Sequence, residues 1–105
     1  MAQFDVYNNP SKATHKAYPY ILELQHDVIS EIATRIVVPL ADIKYMGSEE
    51  LKGLTPKISY EDKELLILIP QIASMKTKSL KKPIGSLSHL RDEIISALDF
   101  AITGI

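Results

Sequence analysis

Three imidazoles, His15, His26 and His89, are the first side chains in this sequence that could bind a metal or move a proton. They are scattered, with no second imidazole at ligand spacing, and read as surface or capping residues, His89 at the start of a helix. The glycines Gly47, Gly53, Gly85 and Gly104 never cluster into a loop that could cradle a phosphate. There is no cysteine, so thiolate chemistry, disulfides and cysteine-ligated zinc are excluded, and no Gly-x-Ser-x-Gly elbow presents a serine nucleophile. The acidic pairs Glu49-Glu50 and Glu61-Asp62 fall among turn formers, where solvated carboxylates are expected rather than an acid and its base. What remains is one basic patch, Lys76, Lys78, Lys81 and Lys82. It suits either protection of an exposed strand edge or a landing site for an acidic peptide; without interleaved aromatics it suits nucleic acid less well. No cofactor, metal or catalytic residue is expected.

The elements that would carry these residues are mostly strands. Phe4 and Val6 alternate with Asp5 and Tyr7, as in a strand with one buried face, and Asn8 to Ala17 reads as a mobile loop. Tyr18, Tyr20, Leu22 and Leu24 alternate with Ile21, Glu23 and Gln25, with Pro19 near the strand start. Residues 35–45 form a β-branched run fit for a strand buried on both faces and bent or interrupted at Pro39. A hairpin follows, 57–60 and 65–69 about the turn 61–64, its second run the expected central strand. From Leu87 the period changes: Leu90, Ile94, Ala97, Leu98 and Ala101 recur on one helical stripe, capped by Ser86 or Ser88, with Ile95, Phe100 and Ile102 widening the apolar arc.

At 105 residues, 46% hydrophobic and 24% charged, the chain suits one globular domain, 1–105, mainly β with one C-terminal α-helix. Its net charge of −1 gives no overall field toward nucleic acid or an anionic membrane, so a charged partner must meet a local patch. No signal peptide or membrane span is read, and a cytoplasmic location is expected.

Taken in order, "QFDVY", "LELQHDVI", "TRIVVPL", "IAS", "LSH" and the closing "GI" resemble the CcdB family of toxins from bacterial toxin–antitoxin modules, over essentially the whole chain. The resemblance implies an SH3-like small β-barrel with a C-terminal helix, the fold shared with MazF-like toxins, assembled as a homodimer. It implies a protein that does no chemistry itself but binds the DNA gyrase A subunit and traps the enzyme on cleaved DNA. A CcdA-like antitoxin with an acidic disordered C-terminal segment would neutralise it, and operator DNA would be met only indirectly, through that antitoxin, in transcriptional repression. Carried over by position, gyrase contacts fall on Thr103, Gly104 and Ile105, with Ile102 and Asp99 beside them and a second contact patch at Val28 and Ile29. The family usually has a tryptophan where this chain has Thr103, so an aromatic contact is absent from the tip.

The apolar ending "DFAITGI" is then expected to be a surface that a partner covers, with Phe100, Ala101 and Ile102 shared with dimer packing. Antitoxin contacts are expected at the four lysines and in the loop at Asn8, Asn9 and Lys12. The alternative is a MazF-like endoribonuclease, which would need basic and acidic groups converging on a scissile phosphate, and Arg35, Arg91 and the turn acids show no such convergence in the sequence.

Overall fold

The computed structural model describes residues 2–26, 34–46 and 54–104. Among the described residues seven strands make one curled antiparallel sheet: β1 Asp5–Asn8, β2 Tyr20–Glu23, β3 Thr34–Asp42, β4 Lys57–Tyr60, β5 Lys63–Ile67, β6 Ala73–Lys76 and β7 Gly85–Ser86, followed by helix α1, Arg91–Thr103. The order is β4-β5-β3-β2-β1-β7, with β6 also paired to β3.

The central strand is β3, not the hairpin run that the sequence suggests. β2 lies along one side of β3 from Tyr20↔Leu40 to Glu23↔Val37; β5 and then β6 share its other side, at Leu40↔Ile67 and Thr34↔Lys76. A 3-10 turn, Ile69–Gln71, with Pro70 in its first positions, separates those two partners. Pro39 neither ends nor interrupts β3, because its missing amide falls within an otherwise paired strand and its carbonyl accepts the Leu68 N–H at 3.1 Å.

The sheet curls around a core of Val6, Leu22, Leu24, Val38, Leu40, Leu65 and Ile67, closed by Leu87, Ile94 and Ala97 from the helical segment. Phe4 enters it from a left-handed backbone conformation (φ 69°), its N–H on the Glu23 carbonyl and its own carbonyl taking the Leu87 N–H. A bulky residue holds that conformation only where its surroundings fix it, and here a phenyl ring seated in the core and two backbone bonds do so. The opposite face is also covered. Tyr7, Ile21, Val37 and Leu80 form a second cluster, so β1 is buried on both faces rather than on the one its alternation suggests. The segment after β6 crosses this face, which lets a strand expected to be half-solvated bury a tyrosine.

Candidate functional site

Helix α1 is anchored by its first half. Asp92 and Glu93 sit in the first turn, where carboxylates favour the helix dipole, and Ile94 and Ala97 are buried, flanked by Leu90, Ile95 and Leu98. Neither expected serine caps α1: the Ser86 hydroxyl accepts the Ser88 N–H at 3.1 Å, and a 3-10 turn, Ser88–Leu90, leads into the helix. Ile95 packs on the core although the stripe placed it beside it, and Ala101 is exposed although the stripe placed it within. The helix simply runs on past the sheet it packs against.

Every described residue after Leu98 is exposed: Asp99, Phe100, Ala101, Ile102, Thr103 and Gly104. Phe100 is 41% and Ile102 72% exposed, the latter the most open large apolar side chain among the described residues. The Thr103 hydroxyl donates to the Asp99 carbonyl at 2.6 Å, so its polar group is spent within the helix. Gly104 stops the helix at φ 75°, its N–H returning to the Phe100 carbonyl at 3.0 Å, a conformation a glycine adopts without steric penalty. Ile105, expected at this tip, and Val28 and Ile29, expected as a second contact patch, lie outside the described residues.

The sequence model described as CcdB protein matches residues 3–104, nearly the whole chain and all of this helix. The chain belongs to the CcdB family. Its fold, the curled antiparallel sheet with one C-terminal helix, is the family's, and membership makes it a toxin-type component of a toxin–antitoxin module. No helix among the described residues is long and apolar enough to cross a membrane.

In this CcdB-family chain the four lysines Lys76, Lys78, Lys81 and Lys82 are all exposed, and the reason is Leu80. Leu80 is buried against Tyr7, Ile21 and Val37, pinning the crossing segment down between the lysines. Lys76 lies opposite Thr34 at one end of β3, whereas Asn8 pairs with Tyr20 and so sits toward the other end, near Leu40. The loop carrying Asn9 and Lys12 is a run of turns organised by Asn9: its Oδ1 accepts the Ser11 N–H at 2.9 Å, and its Nδ2 donates to Thr14 Oγ1 at 3.0 Å and the Tyr18 carbonyl at 2.8 Å. Asn9 is thus largely committed to shaping the loop. The two ends of β3 are about 26 Å apart at a strand's rise per residue.

Beneath the lysine-bearing crossover is a buried polar group that the sequence reading missed. Glu23 accepts from the Tyr7 hydroxyl at 2.9 Å and pairs with Arg35 Nε at 3.2 Å, both charged side chains about 2% exposed. Burial pushes the Glu23 carboxyl above its ordinary range, while the Tyr7 hydrogen bond and the Arg35 charge pull it back; burial and the carboxylate together push the Tyr7 phenol up. A signal existed: Tyr7, Glu23 and Arg35 share one strand face once the register is known. Arg35 is therefore interior, and Arg91 is an exposed residue 3.7 Å from Asp92, so the two arginines considered for a nuclease centre do not meet.

A second feature also escaped the sequence. The 8–17 loop, the 3-10 turn Ile43–Tyr45 and the start of β5 enclose a groove of about 450 Å³ lined by His15, Lys16, Asp42, Lys44, Tyr45 and Lys63, among others.

Proposed function

We propose that this chain poisons DNA gyrase by inserting the exposed tip of α1 into a site on the gyrase A subunit, with no chemistry of its own. The observation that carries this reading is the run from Asp99 to Gly104, exposed throughout and presenting Phe100 and Ile102 beyond the body that anchors the helix. Burying an isoleucine contributes about 1.5–3 kcal/mol. That matches or exceeds the roughly 0.5–2 kcal/mol that an aromatic ring on a cation would have supplied where Thr103 stands. Ile102, with Ile105, is the replacement anchor; Asp99 supplies a charge one turn back, and Val28 and Ile29 form the second contact.

The active species is a homodimer. Ile36 lies on the same face of β3 as the core residues Val38 and Leu40 but is 44% exposed, and Ile72, 42% exposed, follows the 69–71 turn on which α1 packs. A second copy would continue the apolar row where the core runs out, with Phe100 and Ala101 at its margin. The exposed lysines and the loop at Asn8, Asn9 and Lys12 receive a CcdA-like antitoxin whose acidic segment neutralises the toxin in the bacterial cytoplasm, and operator DNA is reached through that antitoxin.

Deletion of residues 104–105 is the test. The truncated chain keeps its urea midpoint and its dimer mass but no longer inhibits growth or stimulates gyrase-dependent DNA cleavage. A truncated chain that remains fully toxic overturns the reading.

A further inference from the structure

We propose that the groove between the 8–17 loop and the 43–45 turn binds a nucleoside phosphate, with the phosphate between Lys16 and Lys44 and the base stacked on Tyr45. Four residues that can carry positive charge line it: His15 and Lys16 from the loop, Lys44 from the turn and Lys63 from the start of β5. The lining's one carboxylate is already answered: Asp42 Oδ2 is 3.9 Å from Lys63 Nζ, and Oδ1 accepts the Lys44 N–H at 3.2 Å. Among the described residues neither Lys16 nor Lys44 is paired with a carboxylate, and both line a concave surface, where an anion gains most. The hairpin acids Glu61, Asp62 and Glu64 line a neighbouring hollow that shares Lys63 with the groove.

An anion alone could be a carboxylate, and the aromatic decides against that. Tyr45 is 50% exposed, with the Lys44 ammonium 5.3 Å from its ring centroid. A half-exposed ring with a lysine over one face leaves its other face for a base, and an aromatic next to a positive charge is the combination on which single-stranded nucleic acids are held, the base on the ring and the backbone on the charge. A run of acidic side chains uses the lysines but brings no aromatic ring to stack on Tyr45. Asp42, 5% exposed at the groove wall, can accept from a ribose hydroxyl or an exocyclic amine, a role that carboxylate side chains of a peptide could only oppose. The groove shares no residue with the tip of α1, so this proposal and the gyrase reading stand or fall separately.

The ligand could be a free nucleotide or one unit of a single strand. Fluorescein-labelled hexauridylate, titrated at low salt with the full-length protein and read by anisotropy, is compared with uridine monophosphate and with a hexaglutamate peptide by calorimetry. Tyr45→Ala weakens nucleotide binding about 5- to 150-fold. The double variant Lys16→Ser/Lys44→Ser lowers the slope of log affinity against log salt for the hexamer by about 1.4. All three side chains are surface groups, and an unchanged urea midpoint checks that the variants fold. Monophosphate binding as tight as the hexamer's assigns a free nucleotide, and tighter hexamer binding assigns a strand; both support the proposal. It is overturned if neither ligand binds at low salt, or if Tyr45→Ala leaves binding unchanged. It is also overturned if hexaglutamate binds in their place through the lysines and is indifferent to Tyr45.

Discussion

Arg35 and Glu23 hold opposite charges 3.2 Å apart where water cannot screen them, so either one alone becomes a liability to the fold. Removing one partner of a buried pair costs about 3–5 kcal/mol, because the other is left charged in an apolar place. Arg35→Met should show that loss at pH 8. It also removes an influence that holds the Glu23 carboxyl down, raising further a folded-state pKa that burial already places above the ordinary 4.5. A carboxyl raised in the folded state favours folding below its unfolded pKa and loses that contribution as pH rises through the folded value. The deficit of Arg35→Met should therefore shrink as pH falls toward 4.5, seen as converging urea midpoints for variant and parent; a deficit that does not change with pH would contradict the assignment. At the helix tip the expectation reverses. Ile102, already 72% exposed, contributes little to folding of the subunit, and Ile102→Ser should leave the urea midpoint nearly unchanged while weakening gyrase binding about 10- to 100-fold, measured by calorimetry.

The β4–β5 hairpin and helix α1 illustrate opposite kinds of local control. The hairpin turn needs left-handed backbone at both central residues; Glu61 (φ 49°) supplies it against its preference, and Asp62 (φ 62°) is a residue type that tolerates it. Glu61→Asn with Asp62→Gly should raise stability by about 1–2 kcal/mol, read as a higher melting temperature, since a left-handed Glu costs about that much whereas Asn and Gly adopt that backbone readily. Tyr60, at the end of β4, stands edge-on to Tyr20 with ring centroids 5.2 Å apart and lies close over Gly85 of β7, bringing the first and last strands of the sheet path together. A methyl group at Gly85 would collide with the Tyr60 hydroxyl, so Gly85→Ala should loosen that closure. In α1 the largest buried anchor is Ile94, with the smaller Ala97 beside it. Ile94→Ala should cost about 2–5 kcal/mol in urea unfolding and reduce toxicity through stability rather than contact.

For the whole molecule, net charge is only −1, so long-range attraction to an acidic partner must come from how charges are placed. Replacing Lys76, Lys78, Lys81 and Lys82 with Ser should weaken antitoxin binding and flatten its salt dependence, because exposed charges act over about 8 Å at physiological ionic strength. Unchanged affinity at low salt would leave the 8–17 loop as the sole basic contact, at the other end of β3. The α1 tip and the crossover lysines share no residue with the groove, so substitutions there should leave groove binding unchanged, whereas Asn8 and Asn9 line the groove and belong to the antitoxin loop as well.

Several features were legible in the residues alone. The switch from period two to helical spacing after Leu87, a strand at β2 and a hairpin about Glu61 follow from local rules, and the structure has all three with shifted bounds: α1 begins at Arg91 behind a 3-10 turn, β2 is Tyr20–Glu23 with both faces buried, and β5 starts at Lys63 rather than at residue 65. The collinear resemblance that pointed to the family likewise needed no coordinates, and the match over residues 3–104 shows it. Tertiary structure alone decided that β3 is central, that Tyr7 is interior and that Ala101 is not, because burial depends on which element crosses a face or where a neighbouring sheet ends. It also brought Tyr7, Glu23 and Arg35 into one network and Lys16, Lys44 and Lys63 into one groove. Charges and rings distant along the chain meet only through the register of paired strands, and no single segment carries that register in its own sequence.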